Sequence, residues 1–386
     1  MEPPPPPEAA PVREGVLRSA SNSGDAASRH PRQAEACAPR AWRGRSHGGG
    51  LGTALVRLVA RWGGRDLCYF FLLFPALWFS LVDHKARSAV INYWRRMHPE
   101  QPRWRAALRV PFHFWRFACG LADRLLASVP GAVIRTTDGF EGMIAAMRHP
   151  RGCIILSAHV GSFELSARWM ARFGSAQAST SEAANAAMPR FNLVMMDAED
   201  PRVQAELAKT MGDRPYAVID LRDPTTAALA VASALNRGET CCMLGDRTAG
   251  DALATVAVPF LGGTARFPTG PFIAAAVTGA VIVPAFCCRA GWARWHCQAD
   301  APWTIDLGPR AQRRERLHDA VARWAARVEA QVRAHPWDWN NYFPFWETAA
   351  SPAAPAENPP AQETCPAASA ISSGQPGGSP LPPPNR

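Results

Sequence analysis

A histidine and a carboxylate lie five residues apart where an apolar segment meets an amphipathic one. The segment reads Cys153-Ile-Ile-Leu-Ser-Ala-His-Val-Gly-Ser-Phe-Glu-Leu-Ser-Ala-Arg168, with His159 and Glu164 at the boundary. Five residues of ideal helix turn through about 500°, which leaves the two side chains roughly 140° apart. They meet only if His159 lies in a turn before the helix and Glu164 in its first turn. In that arrangement His159 is a candidate general base and Glu164 the partner that orients its ring.

The two residues between them favour such a turn. Gly161 relaxes the steric limits on the backbone, and the Ser162 hydroxyl can cap the first amides of a helix. Ser162 lies outside any Gly-x-Ser-x-Gly sequence, so a nucleophile elbow is absent. A histidine and a carboxylate without a neighbouring nucleophile suggest direct activation of an acceptor hydroxyl or amine.

Several other chemistries fit the sequence less well. No Gly-x-x-x-x-Gly-Lys-Ser/Thr and no post-strand Gly-x-Gly-x-x-Gly occurs, which argues against nucleotide hydrolysis and dinucleotide binding. A metal on His159 and Glu164 would need further ligands that the sequence does not offer. The adjacent pairs Cys241-Cys242 and Cys287-Cys288 lie in apolar strands and face opposite sides, so we interpret them as small core residues.

Strand and helix patterns alternate around the histidine. The patterns predict an α/β fold with a mixed, largely parallel sheet flanked by helices, and an N-terminal membrane-associated helical segment. The predicted strands are 133–135, 153–157, 176–180, 216–219, 240–244, 256–261, 280–288 and 295–299. The predicted helices are 140–147, one from Phe163 with Trp169, Met170 and Phe173 on its apolar side, 225–235, one between Pro268 and Gly279, and 313–333.

A second polar cluster follows another predicted strand. Asp246 and Arg247 come directly after 240–244, as His159 comes after 153–157. Ligands collect beyond the carboxyl ends of strands in open α/β sheets, so we expect both clusters at one sheet edge. Arg247 could bind a phosphate or stabilise a developing oxyanion. The alternative is a salt bridge between Arg247 and Asp246.

Composition divides the chain into four parts. Residues 1–50 and 350–386 are rich in Pro, Ala and other small residues without hydrophobic periodicity, and both are predicted to be disordered tails. The Met-Glu-Pro start does not resemble a secretory signal. Residues 51–126 are predicted as an N-terminal membrane-associated helical region, and 127–349 as the catalytic domain.

The segment Leu67–Val82 has sixteen uncharged residues, slightly fewer than the roughly twenty that span a bilayer. It is a membrane anchor, a half-buried interfacial helix or a core helix. From Ile91 to Leu126, arginines alternate with aromatic residues, as at a lipid interface. Amphipathic helices with aromatics packed inward are the alternative there. The net charge of +10 suits a phospholipid surface, an acidic carrier protein or nucleic acid, but no nucleic-acid motif accompanies it.

The block Leu156-Ser-Ala-His-Val-Gly-Ser-Phe-Glu-Leu165 resembles the His-x-x-x-x-Glu/Asp motif of the lysophospholipid acyltransferase superfamily. It is specifically similar to the late acyltransferases of bacterial lipid A biosynthesis. Further blocks agree in order over about residues 51–347: Gly245-Asp-Arg, Val258-Pro-Phe-Leu-Gly-Gly263, Phe267-Pro-Thr-Gly-Pro271, Gly279-Ala-Val-Ile-Val-Pro284 and Pro336-Trp-Asp-Trp-Asn-Asn-Tyr-Phe-Pro-Phe-Trp346. Asp246-Arg247, where lipid A enzymes have Asp-Gln or Asp-His, is closer to a related branch associated with aryl-polyene products.

The resemblance implies a membrane-associated acyltransferase at the cytoplasmic face of the cell inner membrane. It implies acyl carrier protein or acyl-CoA as donor, a lipid A-like glycolipid or related lipid as acceptor, and no cofactor, metal or nucleic acid. His159, Glu164 and Asp246 are the expected catalytic residues. Arg247, Gly161, Gly263 and Thr269 are the expected substrate-binding residues. The alternatives are a catalytically silent module that binds membrane or carrier protein, and an acyl-thioester hydrolase.

Overall fold

The computed structural model describes residues 50–127, 134–163, 165–166, 189–195, 216–247, 254–292 and 294–347. Glu164, residues 1–49 and 350–386 of the predicted tails, most of the predicted helix after Phe163 and the predicted strand 176–180 lie outside the described residues. The expectations that concern them remain predictions.

Three helices form the N-terminal part of the described chain. They are α1 (Gly50–Val82), α2 (His84–Met97) and α3 (Arg103–Leu126). Gly64, with φ of +71°, divides α1 into two helical pieces. The Asp83 carboxylate accepts a hydrogen bond from the backbone amide of Ala86 at 3.0 Å and so caps the start of α2.

Strands and helices alternate through the rest of the chain, in the following order. The elements are β1 (Ile134–Asp138), α4 (Phe140–Met147), β2 (Cys153–Ser157), β3 (Phe191–Met195), β4 (Tyr216–Asp220), α5 (Pro224–Asn236), β5 (Thr240–Leu244), β6 (Thr255–Phe260), β7 (Gly263–Pro268), α6 (Gly270–Thr278), β8 (Val281–Gly291), β9 (Arg294–Ala299) and α7 (Arg313–Ala334).

Seven of these strands form one sheet, in the order β1-β9-β8-β2-β5-β3-β4. The five strands from β8 to β4 are parallel. β9 pairs antiparallel with β8, and β1 runs parallel to β9. A separate antiparallel hairpin is formed by β6 and β7. The predicted α/β class with a mixed, largely parallel sheet is confirmed.

Apolar side chains cover both faces of this sheet. One core contains the α7 residues Val321, Trp324, Val328 and Val332, all 0% exposed and spaced along one face of the helix. The other contains residues of α4, such as Met143. The adjacent cysteines divide between the cores: Cys241 and Cys288 lie in the first, and Cys242 and Cys287 in the second.

A buried polar cluster fastens α1 to α3 and to the sheet. The Tyr69 hydroxyl donates to the Asp123 carboxylate at 2.5 Å, and Arg289 on β8 forms an ion pair with Asp123 at 2.8 Å. Arg289 also donates to the Tyr69 hydroxyl at 2.9 Å, and the Trp295 indole on β9 donates to Asp123 at 2.8 Å. These bonds join the N-terminal helices and the sheet into one packed structure.

Candidate active site

Two neighbouring parallel strands bring His159 and Asp246 together. Ser157 at the end of β2 is in register with Leu244 at the end of β5. Two residues beyond that pair lie His159 on one strand extension and Asp246 on the other. The predicted meeting of the two polar clusters at one sheet edge is therefore confirmed.

The Asp246 carboxylate holds His159 at two points. Its Oδ1 lies 2.8 Å from Nδ1 of the imidazole, and its Oδ2 accepts from the backbone amide of His159 at 2.9 Å. Asp246 is 1% exposed, whereas the side chain of His159 is 26% exposed. Within the described part of the chain, no hydrogen bond reaches Nε2, so this second ring nitrogen is available at the sheet edge.

Charge stabilisation keeps Asp246 ionised despite its burial. Burial raises the pKa of the Asp246 carboxyl, but the interaction with His159 and the charge of Arg247 outweigh it, so its pKa lies below the ordinary value. An ionised acceptor at Nδ1 favours the tautomer that keeps its proton there. Nε2 is then the nitrogen that can accept a proton from a substrate.

The glycine that follows His159 permits a very tight turn. Gly161 has φ of +79°, and a Cβ atom there would lie 2.0 Å from the carbonyl oxygen of Cys287. The Ser162 amide donates to that same carbonyl at 2.8 Å, and the Ser162 hydroxyl accepts from the Leu165 amide at 3.4 Å. The turn and cap predicted for Gly161 and Ser162 are therefore present, and Gly161 supports the backbone at the site.

The segment 338–340, which follows α7, pairs with the turn at 159–161. The Gly161 amide donates to the carbonyl of Asp338 at 2.7 Å, and the Asn340 amide donates to the carbonyl of His159 at 2.7 Å. The Asn340 side chain also donates to the carbonyl of Gly161 at 2.8 Å. The positioning roles of Asp338 and Asn340 were not predicted from the sequence. The polar Asp-Trp-Asn-Asn run among aromatics was the signal that marked them.

Arg247 also contacts this segment. Its guanidinium donates to the carbonyl of Asn340 and lies 4.8 Å from the centre of the Phe343 ring. Burial lowers the pKa of Arg247, while the charge of Asp246 opposes that shift. Among the described residues, no ion pair within 4.0 Å joins Arg247 to Asp246. The structure therefore does not favour the salt-bridge alternative, and it places a cation beside the His159–Asp246 pair.

Two of the other predicted site residues have different surroundings. Gly263 begins β7, where its Cα faces the Arg96 guanidinium and the Trp346 ring. Thr269 is 2% exposed, and its hydroxyl donates to the carbonyl of Ala254 at 3.0 Å. The Thr269–Ala254 bond joins the two ends of the β6–β7 hairpin. Glu164, the predicted orienting carboxylate, lies outside the described residues, and the described partner of Nδ1 is Asp246.

Three residues behind the turn come close enough to hold a metal ion. The ligand atoms of Cys288, His335 and Asp338 lie within 4.8 Å of one another. The Asp338 carboxylate, however, already accepts from the Arg289 amide at 2.7 Å and from Arg116 at 3.4 Å. Burial also raises the pKa of the Cys288 thiol well above its ordinary value, which disfavours the thiolate that a metal needs. These side chains fit a hydrogen-bonded core better than a metal centre.

Comparison with known proteins assigns the chain to a family. Residues 132–348 match the family model described as bacterial lipid A biosynthesis acyltransferase. The crystal structure of the 1-acyl-sn-glycerophosphate (LPA) acyltransferase PlsC from Thermotoga maritima is similar over 69% of this chain and 99% of that chain, with 11% identity and a TM-score of 0.30. No curated protein gives a significant match. Because the matched segment exceeds half of the chain and contains both His159 and Asp246, this protein belongs to the bacterial lipid A biosynthesis acyltransferase family and is an acyltransferase.

Proposed function

We propose that this enzyme transfers a fatty acyl group from an acyl thioester to a hydroxyl of a membrane lipid, with His159 as the general base. The observation that carries the proposal is the 2.8 Å bond between Nδ1 of His159 and a buried, ionised Asp246, with Nε2 left available. This arrangement is the one in which a carboxylate fixes the tautomer of a histidine base.

In the proposed reaction, Nε2 of His159 takes the proton from the acceptor hydroxyl as its oxygen attacks the thioester carbonyl carbon. The new C–O bond forms, the tetrahedral oxyanion collapses, and the C–S bond breaks. The imidazolium then returns its proton to the leaving thiolate. Asp246 stabilises the imidazolium charge through Nδ1–H. General base catalysis of this kind contributes roughly 10²–10⁴-fold to a rate.

Arg247 is proposed to bind the negative charge that accompanies this reaction. An arginine guanidinium is delocalised and stays charged in proteins, which suits either the thioester oxyanion or a phosphate on a substrate. Its bond to the carbonyl of Asn340 fixes its position relative to the turn that carries His159. The roles of Glu164 as a second carboxylate, and of Gly263 and Thr269 in substrate binding, stay predictions.

The proposed donor is acyl carrier protein or acyl-CoA, and the proposed acceptor is a lipid A-like glycolipid or a related lipid. The family match to lipid A acyltransferases supports a lipid acceptor. Membrane association is supported by one helix, Trp62–Val82, that is long and apolar enough to cross a bilayer. The proposed location is the cytoplasmic face of the inner membrane.

The test compares wild type with His159→Ala in cells that lack the native gene and in purified protein. Mass spectrometry of lipids and pigments identifies the acylated product, and purified enzyme is assayed with acyl carrier protein and acyl-CoA thioesters. We expect His159→Ala to lower acyl transfer by about 10²–10⁴-fold. His318→Ala, at an exposed histidine on α7, is the matched control and is expected to retain wild-type activity.

Three outcomes would contradict the proposal. Full acyl transfer by folded His159→Ala would remove the general base from the scheme. Release of free fatty acid by wild type, with no acylated lipid in any extract, would instead favour a thioester hydrolase. If wild type consumes no thioester at all, the chain is a binding module that keeps the family fold.

A further inference from the structure

The long helix α1 has an exposed apolar side and a buried side. Its exposed apolar side chains recur every three or four residues along the second helical piece. They are Leu67, Phe70, Phe71, Leu73, Phe74, Leu77, Trp78, Leu81 and Val82, between 38% and 63% exposed. The opposite side is buried at Cys68, Tyr69, Ala76 and Ser80.

A second apolar stripe lies on α3, the helix that packs against α1. Trp104, Leu108 and Phe112 are spaced by four residues and are 59%, 70% and 43% exposed. The stripe ends beside the segment 337–340, which holds the turn at His159, because the centres of the Phe112 and Trp337 rings lie 4.7 Å apart and Asp338 follows directly. Exposed apolar side chains at this density mark a surface that binds a protein or a membrane.

The charges around these stripes are mostly positive. Arg103 and Arg105 flank Trp104, both are exposed, and the Arg105 guanidinium lies 5.4 Å from the Trp104 ring. Lys85, also exposed, follows the end of α1. Aromatic rings beside guanidinium groups are typical of the headgroup region of anionic membranes. Charge and hydrophobicity together therefore fit an anionic lipid bilayer as the occupant.

The length of α1 alone would allow it to cross that bilayer. The segment Trp62–Val82 has 21 residues. Gly64 interrupts the helix within it, so the continuous piece after Gly64 is about 27 Å long, close to the roughly 30 Å thickness of a hydrocarbon core. The polar contacts that join α1 to the rest of the protein, one exposed at Asp66 and one buried at Tyr69, argue against crossing. Asp66 accepts from the Trp292 indole at the β8–β9 turn at 2.9 Å, and Tyr69 bonds to the buried Asp123.

A spanning α1 would carry these partners into the hydrocarbon. The β8–β9 turn and α3, with its arginines, pack along the buried side of the same helix. Charged residues and irregular backbone exposed to lipid are costly at that depth. An α1 that lies in the membrane plane avoids the cost, because its buried side stays on protein while its apolar side enters the lipid.

We infer that α1 does not cross the membrane but lies in its plane, and that the Trp104–Phe112 stripe of α3 contacts the same anionic lipid surface. Binding through α1 and the α3 stripe would place the segment 337–340 at the depth of the lipid headgroups. The inference deepens the proposed membrane location and does not depend on the role proposed for His159.

The first experiment measures topology on the full-length enzyme in sealed inverted membrane vesicles. Epitope tags are placed at both termini, and external protease is added before and after the vesicles are opened. An in-plane α1 leaves both tags on one side, so both are digested from outside. Digestion of one tag only, with the other released after opening, would show that α1 crosses the membrane and would overturn the inference.

The second experiment tests the α3 stripe with matched variants of the purified full-length protein. Leu108→Glu and Leu229→Glu change leucines that are 70% and 68% exposed, on α3 and on α5. Binding is measured with vesicles of phosphatidylethanolamine and phosphatidylglycerol, and with vesicles of phosphatidylcholine alone. We expect Leu108→Glu to lower the partition coefficient on anionic vesicles by about tenfold and Leu229→Glu to leave it unchanged.

Equal partitioning of both variants and wild type would show that α3 does not touch lipid. Equal binding to anionic and neutral vesicles would show that the basic residues do not contribute to membrane binding, and would overturn the anionic surface as the partner. No acyl donor is present in either experiment, so failure of the proposed reaction and failure of the proposed membrane face give separate results.

Discussion

Asp246 and Asp123 are two buried carboxylates that the protein uses in different ways. Each is at most 1% exposed and lies near an arginine, Arg247 or Arg289. Asp123 bonds to Tyr69, Arg289 and Trp295, and the donor groups of all three are buried. Asp246 bonds to a histidine that reaches the surface. We therefore expect Asp246, and not Asp123, to belong to a reactive site, because one of its partners is accessible.

The pKa values of Asp123 and Asp246 are also shifted in opposite directions. Burial raises the pKa of Asp123 even though Arg289 opposes it. At Asp246, burial acts in the same direction, but the bonds and charge of His159 and the charge of Arg247 overcome it and lower the pKa. The comparison suggests that the Asp123 cluster contributes to stability and the Asp246 cluster to catalysis. Substitutions at each test this difference.

The largest expected effect is a lower rate of acyl transfer in the Asp246→Asn variant. The amide keeps the shape of the side chain but cannot stabilise the imidazolium, so acyl transfer is expected to fall by about 10²–10⁴-fold. The rate per folded molecule and the thermal midpoint are measured together. Asp123→Asn is the matched variant, and it should keep the rate per folded molecule. A rate for Asp246→Asn within about tenfold of wild type would contradict a catalytic role for Asp246.

The next largest expected effect is a loss of stability in the Arg289→Met variant. Removing this guanidinium leaves Asp123 buried without its cation, and breaking such a pair costs about 3–5 kcal/mol of unfolding free energy. Denaturant unfolding measures the loss. Adding Asp123→Asn removes the uncompensated charge while Tyr69 and Trp295 keep an acceptor, so part of the loss is expected to return. A loss below about 1 kcal/mol, as for an exposed pair, would contradict a structural role for this cluster.

The elements closest to their predicted bounds have strong local signals. The helix 140–147 and the strands 153–157 and 240–244 were predicted with the bounds observed, because each is an apolar run closed by turn residues. The strand 191–195 was missed. The second strand of the hairpin, Gly-Thr-Ala-Arg-Phe-Pro, was missed because glycine, proline and arginine weaken the strand signal.

The sheet edge at which the site lies was predicted, but the contacts within the site were not. The rule that ligands collect beyond parallel strand ends places His159 near Asp246, since both follow adjacent strands. It does not say which oxygen meets which nitrogen. The pairing of 159–161 with 338–340 joins residues about 180 positions apart, and no local period encodes such a contact. Only the packed fold shows that Asp338 and Asn340 hold the turn.

The smallest expected effect concerns His113, a histidine that is buried with no carboxylate partner. Its Nε2 lies 3.1 Å from the carbonyl of Trp339, next in the chain to the Asn340 that holds His159. Its Nδ1 is buried and, among the described residues, has no partner. Burial lowers the pKa of His113 to about 4, against an ordinary value of 6.5, with the Trp339 carbonyl opposing the shift and Arg116 adding to it.

Because the folded-state pKa of His113 is lowered, the unfolded chain binds more protons between about pH 4 and 6.5, and stability is lost as pH falls through that window. His113→Gln can still donate to the Trp339 carbonyl but does not titrate. Between about pH 7.5 and 5.5, the variant should lose less unfolding free energy than wild type by on the order of 1 kcal/mol. His318→Gln is the exposed control. Identical pH dependence in wild type and His113→Gln would show that His113 is not buried as a neutral ring. The contrast between a buried His113 and a partly exposed His159 would then fail.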